Sequence, residues 1–243
     1  MSMFSGYSNA VSAADAAASE RLTFIRRTYG LLLAAVLAFI GLEVALFQSG
    51  LNVTITNALL SSRGAWLGVM VLFMIGSYVG QRLAMQANNV PLQYAGLGLM
   101  VIIYAVIFLP ILTIAQMKTG DNSLAAKAGL LTLVIFAGLT LSVFISGRDF
   151  SFMGSALTVL SFAAFGVVLV SMFMGGMGAG LGIWFAFAMV ALMCGYIIYY
   201  TSAVMHQFHT SQYVGAAVAL FAAVMTLFYY ILMIFMSRGN NND

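Results

Sequence analysis

The sequence predicts an all-α integral membrane protein with seven transmembrane helices. Charged residues make up 6% of the 243 residues and hydrophobic residues 63%, whereas soluble domains typically carry ~25% charged residues. Apolar runs of about 20 residues, long enough to cross ~30 Å of hydrocarbon as helices, follow one another between short polar breaks. These runs are apolar on every face, which excludes the alternating pattern of barrel strands.

The elements follow in order from a polar N-terminal segment at residues 1–28, which we expect to be cytoplasmic. Within it, residues 10–24 are rich in alanine and predict a short helix along the membrane surface. A seven-helix membrane domain then covers residues 29–236, and residues 237–243 form a polar tail. The predicted spans are residues 29–48, 64–81, 92–116, 128–145, 152–174, 181–200 and 213–236.

Lysine and arginine residues predict the orientation of these spans. A cytoplasmic N-terminus places five of them inside and four outside, so the totals alone decide little. The inner residues are Arg21, Arg26, Arg27, Arg82 and Arg148, and the outer ones are Arg63, Lys118, Lys127 and Arg238. Three inner arginines precede the first span, which usually dominates orientation. We therefore expect the N-terminus inside and the C-terminus outside, in the cytoplasmic (inner) membrane of a bacterium.

The second span carries Gly64, Gly68, Gly76 and Gly80, whose spacing keeps small residues on one drifting helical face. Such a stripe lets the backbone of a neighbouring helix approach closely. We interpret it as a packing surface.

Glu43 is the only Asp, Glu, Lys or Arg residue inside a predicted span. A charge at the centre of a bilayer costs at least ~2.5 to 3.5 kcal/mol, so an ionisable residue inside a span is a candidate for a functional role. Two interpretations remain open. Glu43 lies toward the outer end of its span and could reach the interface, or it could face the bundle interior as a proton or cation site.

The sequence predicts neither an enzyme nor a metal or cofactor site. His206 and His209 could share a helical face, but no third ligand lies near them, so we interpret them as interfacial or capping residues. Both lysines lie in or beside a loop, which leaves none to form a retinal Schiff base in the last helix. No nucleophile and base occur together in a span, and the scattered basic residues give no indication of nucleic-acid binding.

One polar string before the fifth span is distinctive. It runs from Gly147 through Arg148, Asp149, Phe150, Ser151, Phe152 and Met153 to Gly154, and Asp149 or Ser151 would cap the following helix. This string resembles the signature of the Bax inhibitor-1 family. A second match begins at Gly195 and Tyr196 and leads to His206, and a third follows Gln212 through the last span.

The resemblance implies a seven-helix fold whose last helix is central. It also implies a pH-sensitive calcium leak, and in some bacterial relatives binding to a membrane-anchored ATP-dependent protease. The family's proton-sensing calcium site resembles an aspartate pair, and the matched strings put Tyr200 and Val224 at those positions. Arg82 fits the basic residue that contacts the sixth-helix aspartate in relatives; without that partner it would bind headgroups or Tyr200.

We therefore expect a cation leak protein, most simply for calcium, with altered or absent pH gating. Glu43, Arg82 and Tyr200 are the candidate residues of its ion path or gate. The alternative is a membrane interaction protein that transports nothing and regulates other membrane proteins, such as a membrane-anchored protease. In either case the lipid bilayer is the constant partner.

Overall fold

The computed structural model describes residues 12–86, 89–173 and 182–239, and this part of the chain is helical apart from short turns. Seven of its helices are long and apolar enough to span a membrane, which confirms the predicted fold class. The α-helices are α1 (Ala18–Gln48), α2 (Leu51–Leu59), α3 (Arg63–Ala84), α4 (Val90–Thr119), α5 (Leu124–Ser146), α6 (Met153–Phe173), α7 (Gly182–His206) and α8 (Tyr213–Gly239).

Helix α1 begins well before the predicted first span. It runs without interruption from Ala18 to Gln48. Residues 18–28 of the predicted polar segment are therefore the first turns of this helix. The separate surface helix predicted at residues 10–24 is therefore wrong for residues 12–24, because residues 12–17 form a turn and residues 18–24 belong to α1. Residues 10 and 11 lie outside the described part. Helical propensity alone does not mark where a surface helix would break from a span.

Helix α2 was not predicted. It follows α1 after a tight turn in which Gly50 has φ of 72°, a left-handed conformation that glycine adopts without strain. Its nine residues, Leu51–Leu59, are too few to span a bilayer and include two asparagines and two threonines. Polar composition of this kind predicts a loop. In the structure, however, Asn52 and Thr56 are buried where α2 packs against α1 and α4.

Helices α4 and α8 form the centre of the bundle. Helix α8 packs against α1, α3, α4, α5 and α7, which confirms the central last helix. Helix α6 instead packs against α7 at the edge of the molecule. In the centre, Phe108 of α4 stacks on Phe228 of α8 with ring centroids 5.3 Å apart, and Tyr104 meets Phe221 edge to face at 5.4 Å. Aromatic rings therefore fill the middle of the described bundle.

Two of the four glycines in the predicted stripe lie at a close contact between α3 and α4. A Cβ at Gly80 of α3 would lie 2.9 Å from the Met100 side chain of α4, and one at Gly76 would collide with Ile103. The reciprocal position on α4 is Gly96, where a Cβ would lie 2.6 Å from both the Gly80 oxygen and the Ala84 nitrogen. Positions 64 and 68 meet no atoms of another helix. The stripe thus packs only toward the C-terminal end of α3.

Candidate functional site

Glu43 faces the inside of the bundle. The buried positions of α1 are Phe24, Thr28, Leu32, Ala35, Phe39 and Glu43, a spacing of three or four residues that defines one face of a helix. Phe39, one turn before Glu43, meets Phe108 of the central α4 edge to face at 5.4 Å. Glu43 itself is only 5% exposed. Of the two interpretations left open, its position agrees with the interior one.

The Glu43 carboxylate has no hydrogen-bond partner in the described part of the chain. Neither of its oxygens is paired within the described residues, and the buried hydroxyl of Thr56 on α2 is unpaired as well. Helices α2 and α4, which pack around this end of α1, carry a single charged residue between them, the exposed Lys118. A buried carboxyl group without a partner is costly for a folded protein. It can take up a proton or contribute an oxygen ligand to a cation.

The two positions matched to the family's aspartates hold no carboxylate. Tyr200 on α7 belongs to a cluster of phenols, with its ring centroid 5.5 Å from that of Tyr196 and 5.3 Å from that of Tyr199. Val224 on α8 is buried, with 4% of its surface exposed. Calcium prefers several oxygen ligands, usually including charged ones, and these two side chains supply one neutral phenol.

Arg82 contacts its own helix. Its Nε–H donates to the Tyr78 hydroxyl at 3.2 Å, and its guanidinium carbon lies 5.2 Å from the centroid of the Tyr78 ring. Tyr78 is one turn earlier on α3 and largely exposed. The hydrogen bonds of the described residues include none between Arg82 and Tyr200. Arg82 is therefore held at the inner end of α3, at the level expected for lipid headgroups under the predicted orientation.

The Arg148-Asp149 string ties the start of α6 to α7. The backbone N–H of Phe150 donates to Oγ of Ser202 at 2.8 Å, and Ser202 is fully buried. Asp149 Oδ1 accepts the N–H of Ser151 at 2.9 Å. This backbone hydrogen bond is the main reason that the pKa of Asp149 lies below its usual value. The ionised Asp149 carboxylate therefore stabilises the folded protein at pH values above the ordinary aspartate pKa. This stabilisation is lost as the pH falls through the lowered pKa of Asp149.

The other residues of the family strings continue this junction along α6 and α7. A Cβ at Gly154 would lie 3.0 Å from the Tyr199 ring, and one at Gly195 would lie 2.8 Å from Leu157. The hydroxyls of Ser161 and Tyr196 are 2.8 Å apart. We call this set the α6–α7 junction: the turn Arg148–Phe150, Gly154, Leu157, Ser161, Gly195, Tyr196, Tyr199 and Ser202. Its contacts are those of helix packing.

The two histidines lie close together in sequence where α7 leads into α8, with His206 as the last residue of α7 and His209 in the connection that follows. His206 Nδ1 lies 3.0 Å from the Ser202 carbonyl oxygen, and His209 precedes the 3-10 turn Thr210–Gln212. Within the described ranges no group of three His, Cys, Asp or Glu side chains could hold a metal ion. The chain just before α1 covers this connection, since the N–H of Ala13 donates to the Phe208 oxygen at 2.9 Å.

Comparison with known proteins identifies the family of this chain. The sequence model of the family described as "Inhibitor of apoptosis-promoting Bax1" matches residues 21–240, which covers all seven spans. The chain belongs to this Bax inhibitor-1 family. Most residues of the α6–α7 junction belong to the strings that resemble the family signature.

Three known proteins are similar in sequence to this chain. Protein lifeguard 4 of Mus musculus is 27% identical over 227 residues, which cover 90% of this chain and 87% of the mouse protein. An uncharacterized protein of Pseudomonas aeruginosa is 31% identical over 133 residues, and the BI1-like protein of Arabidopsis thaliana is 29% identical over 124 residues. These two alignments cover 55% and 50% of this chain, and 59% and 48% of the respective relatives. No solved structure matches the sequence.

Sequence reasoning missed the polar side chains that α2 adds beside α1. The spacing of Asn52 and Thr56, which are four residues apart, was the available signal, since it places both on one helical face. It also missed Ser202, whose side chain holds the Phe150 amide from a distant part of the chain. No local pattern identifies a hydrogen bond that spans 52 residues of sequence.

Proposed function

We propose that this Bax inhibitor-1 family protein is a cation leak, most simply for calcium, in which Glu43 is the residue that binds the ion or a competing proton. The observation that carries the proposal is the burial of an unpaired carboxylate on the interior face of α1. Evolution retains such costly groups in membranes mainly where they serve transport. The membrane is a bacterial cytoplasmic membrane, with the N-terminus inside and the C-terminus outside.

The gate of this leak differs from the aspartate pair that the family resemblance implies. Two neighbouring carboxylates share a proton and raise one pKa, whereas Tyr200 and Val224 offer no such pair. Any proton dependence then passes through the single carboxylate of Glu43. One carboxylate with a few neutral oxygens coordinates calcium weakly, which suits an ion that passes through rather than one that stays.

Calcium entry into vesicles tests the proposal. The purified chain is reconstituted into liposomes that contain a calcium dye, and the initial rate is compared with that of empty liposomes between pH 5 and 8. We expect a rate above the empty control and a reduction of at least fivefold in Glu43→Gln, which keeps the size and removes the charge. Glu20→Gln is the matched control, because Glu20 is exposed in the first turn of α1, and it should leave the rate unchanged. Absence of flux at every pH would defeat the leak.

The second candidate function is that of an interaction protein that regulates other membrane proteins, such as a membrane-anchored protease. The observation that favours it is the position of α6, an edge helix whose apolar side chains face outward. Val159 and Phe162 are 68% and 73% exposed. A partner helix in the membrane could pack there, and its apolar surface would replace lipid.

Photo-crosslinking in native membranes separates this candidate from the leak. A photoreactive phenylalanine analogue is placed at Phe162 on α6 and, as the matched control, at Leu130 on α5, which is 66% exposed. An interaction through α6 predicts a discrete protein adduct from position 162 and none from position 130. Lipid adducts alone from both positions would argue against a partner on this helix.

A further inference from the structure

A cleft of about 440 Å³ opens where three spans come together at the end of the bundle that holds the N-terminus of α8. Its walls are Arg27, Gly30 and Leu31 from α1, Tyr94 from α4 and Tyr213 from α8. The proposed leak does not use these side chains, and among them only Tyr213 falls within a string that carries the family resemblance. Under the predicted orientation, this end lies in the cytoplasmic leaflet.

The mouth of the cleft is positively charged. The guanidinium carbon of Arg27 lies 5.5 Å from the centroid of the Tyr213 ring, a cation–π distance. The salt bridge among the described residues joins Lys127 to Asp121, so Arg27 has no carboxylate partner within this part of the chain. Glu20, the acidic residue of the first turn of α1, lies two turns earlier on the same helix. The guanidinium therefore keeps its donors for an outside anion, and Tyr94 and Tyr213 add phenolic hydroxyls.

The cleft changes from polar to apolar along its depth. Leu31 lies one turn after Arg27 on α1, which places it ~6 Å deeper in the membrane. Gly30 beside it leaves open space, because a Cβ at this position would meet no atom within 4 Å. A charged mouth above an apolar floor, aligned with the helix axis, matches a phospholipid, in which a phosphate sits above the start of the acyl chains.

We propose that this cleft binds one phospholipid of the inner leaflet. The headgroup phosphate accepts hydrogen bonds from Arg27 and from the Tyr94 and Tyr213 hydroxyls, and an acyl chain lies along Gly30 and Leu31. Arginine suits this role because its fork of N–H donors matches the geometry of a phosphate. Basic pockets between spans on the cytoplasmic side are favourable places for such headgroups. Lipid bound here would join α1, α4 and α8 at their inner ends.

Native mass spectrometry of the full chain tests the proposal. The purified protein in mild detergent is titrated with phosphatidylglycerol, and the fraction that carries one lipid gives an apparent affinity. We expect Arg27→Gln to weaken this affinity at least fivefold. Arg21→Gln is the matched control, since Arg21 lies on the same helix and does not line the cleft. Equal lipid binding by wild type and Arg27→Gln, or equal losses in both variants, would overturn the proposal.

A second variant and a competitor complete the test. Gly30→Leu fills the apolar floor and keeps the charge, so it should also weaken lipid binding, and it remains informative if Arg27→Gln does not fold. Inorganic phosphate at millimolar concentration separates a lipid site from a free-phosphate site. We expect phosphate not to displace the lipid, because it cannot occupy the apolar floor. Complete displacement by phosphate, or full lipid binding by a folded Gly30→Leu, would refute the lipid assignment.

Discussion

At the residue scale, Ser202 explains how the most polar string of the chain is fixed. Its buried hydroxyl accepts the Phe150 N–H at 2.8 Å and lies 3.4 Å from an Asp149 oxygen. Removal of this hydroxyl would leave a backbone donor without its protein partner. A buried donor left unpaired costs ~1 to 3 kcal/mol, and the loss would fall on the α6–α7 junction.

We predict that Ser202→Ala lowers the free energy of unfolding by ~1 to 3 kcal/mol. The matched control is Ser77→Ala on α3, because the buried Ser77 hydroxyl has no hydrogen-bond partner in the described protein, so its removal should be neutral or stabilising. Thermal unfolding in one detergent, followed by intrinsic fluorescence, measures both variants. Equal unfolding temperatures for the two variants would show that the Phe150–Ser202 hydrogen bond contributes nothing.

At the element scale, the α3–α4 contact depends on two glycines that face each other. Gly96 of α4 lies against the backbone of α3 at Gly80 and Ala84, whereas Gly98 two residues later has no neighbour within 4 Å of a would-be Cβ. The same substitution at these two positions therefore separates helix packing from helix propensity. Because lipid is as apolar as the helix surfaces, the hydrophobic effect does little to bring helices together in a membrane. Close packing of their backbones is therefore a main cause of helix association.

We predict opposite effects of Gly96→Ala and Gly98→Ala. The methyl group at position 96 would collide with backbone atoms that have little freedom to move, so α3 and α4 must separate and the unfolding temperature falls. At position 98 the methyl group enters open space, and alanine favours the helix over glycine by roughly 0.5 to 1 kcal/mol. Unfolding in a titration with denaturing detergent measures both. A stable Gly96→Ala variant would contradict the close contact.

At the scale of the whole molecule, hydrophobic length predicted the seven spans because each must cross the same thickness of hydrocarbon. Two features escaped the prediction. Helix α1 starts at Ala18, just after residues 12–13 dock onto the α7–α8 connection, and this docking is a contact between distant parts of the sequence. The short helix α2 packs against α1 and α4, and tertiary packing of this kind stabilises a helix while leaving little local signal in the sequence.

The candidate site shows the same division between local and tertiary information. The sequence singled out Glu43 because it stands alone among apolar residues, but only the packing of Phe39 against Phe108 assigns its helix face to the interior. The resemblance identified the family and the missing aspartates. It did not predict that Gly154, Gly195 and Tyr196 hold α6 to α7, since each of them contacts a residue that lies far away in the sequence.

The pH dependence of calcium entry into liposomes tests the central claim most directly. The initial rate is measured at pH 6, 7 and 8 for wild type and for Glu43→Gln. Because a deprotonated carboxylate binds cations and a protonated one does not, the wild-type rate should rise with pH. It should rise by no more than about tenfold per pH unit, the limit for one proton, and Glu43→Gln should show a low rate with no pH dependence. Identical pH profiles for the two proteins would contradict the assignment of Glu43 as the ion-binding residue.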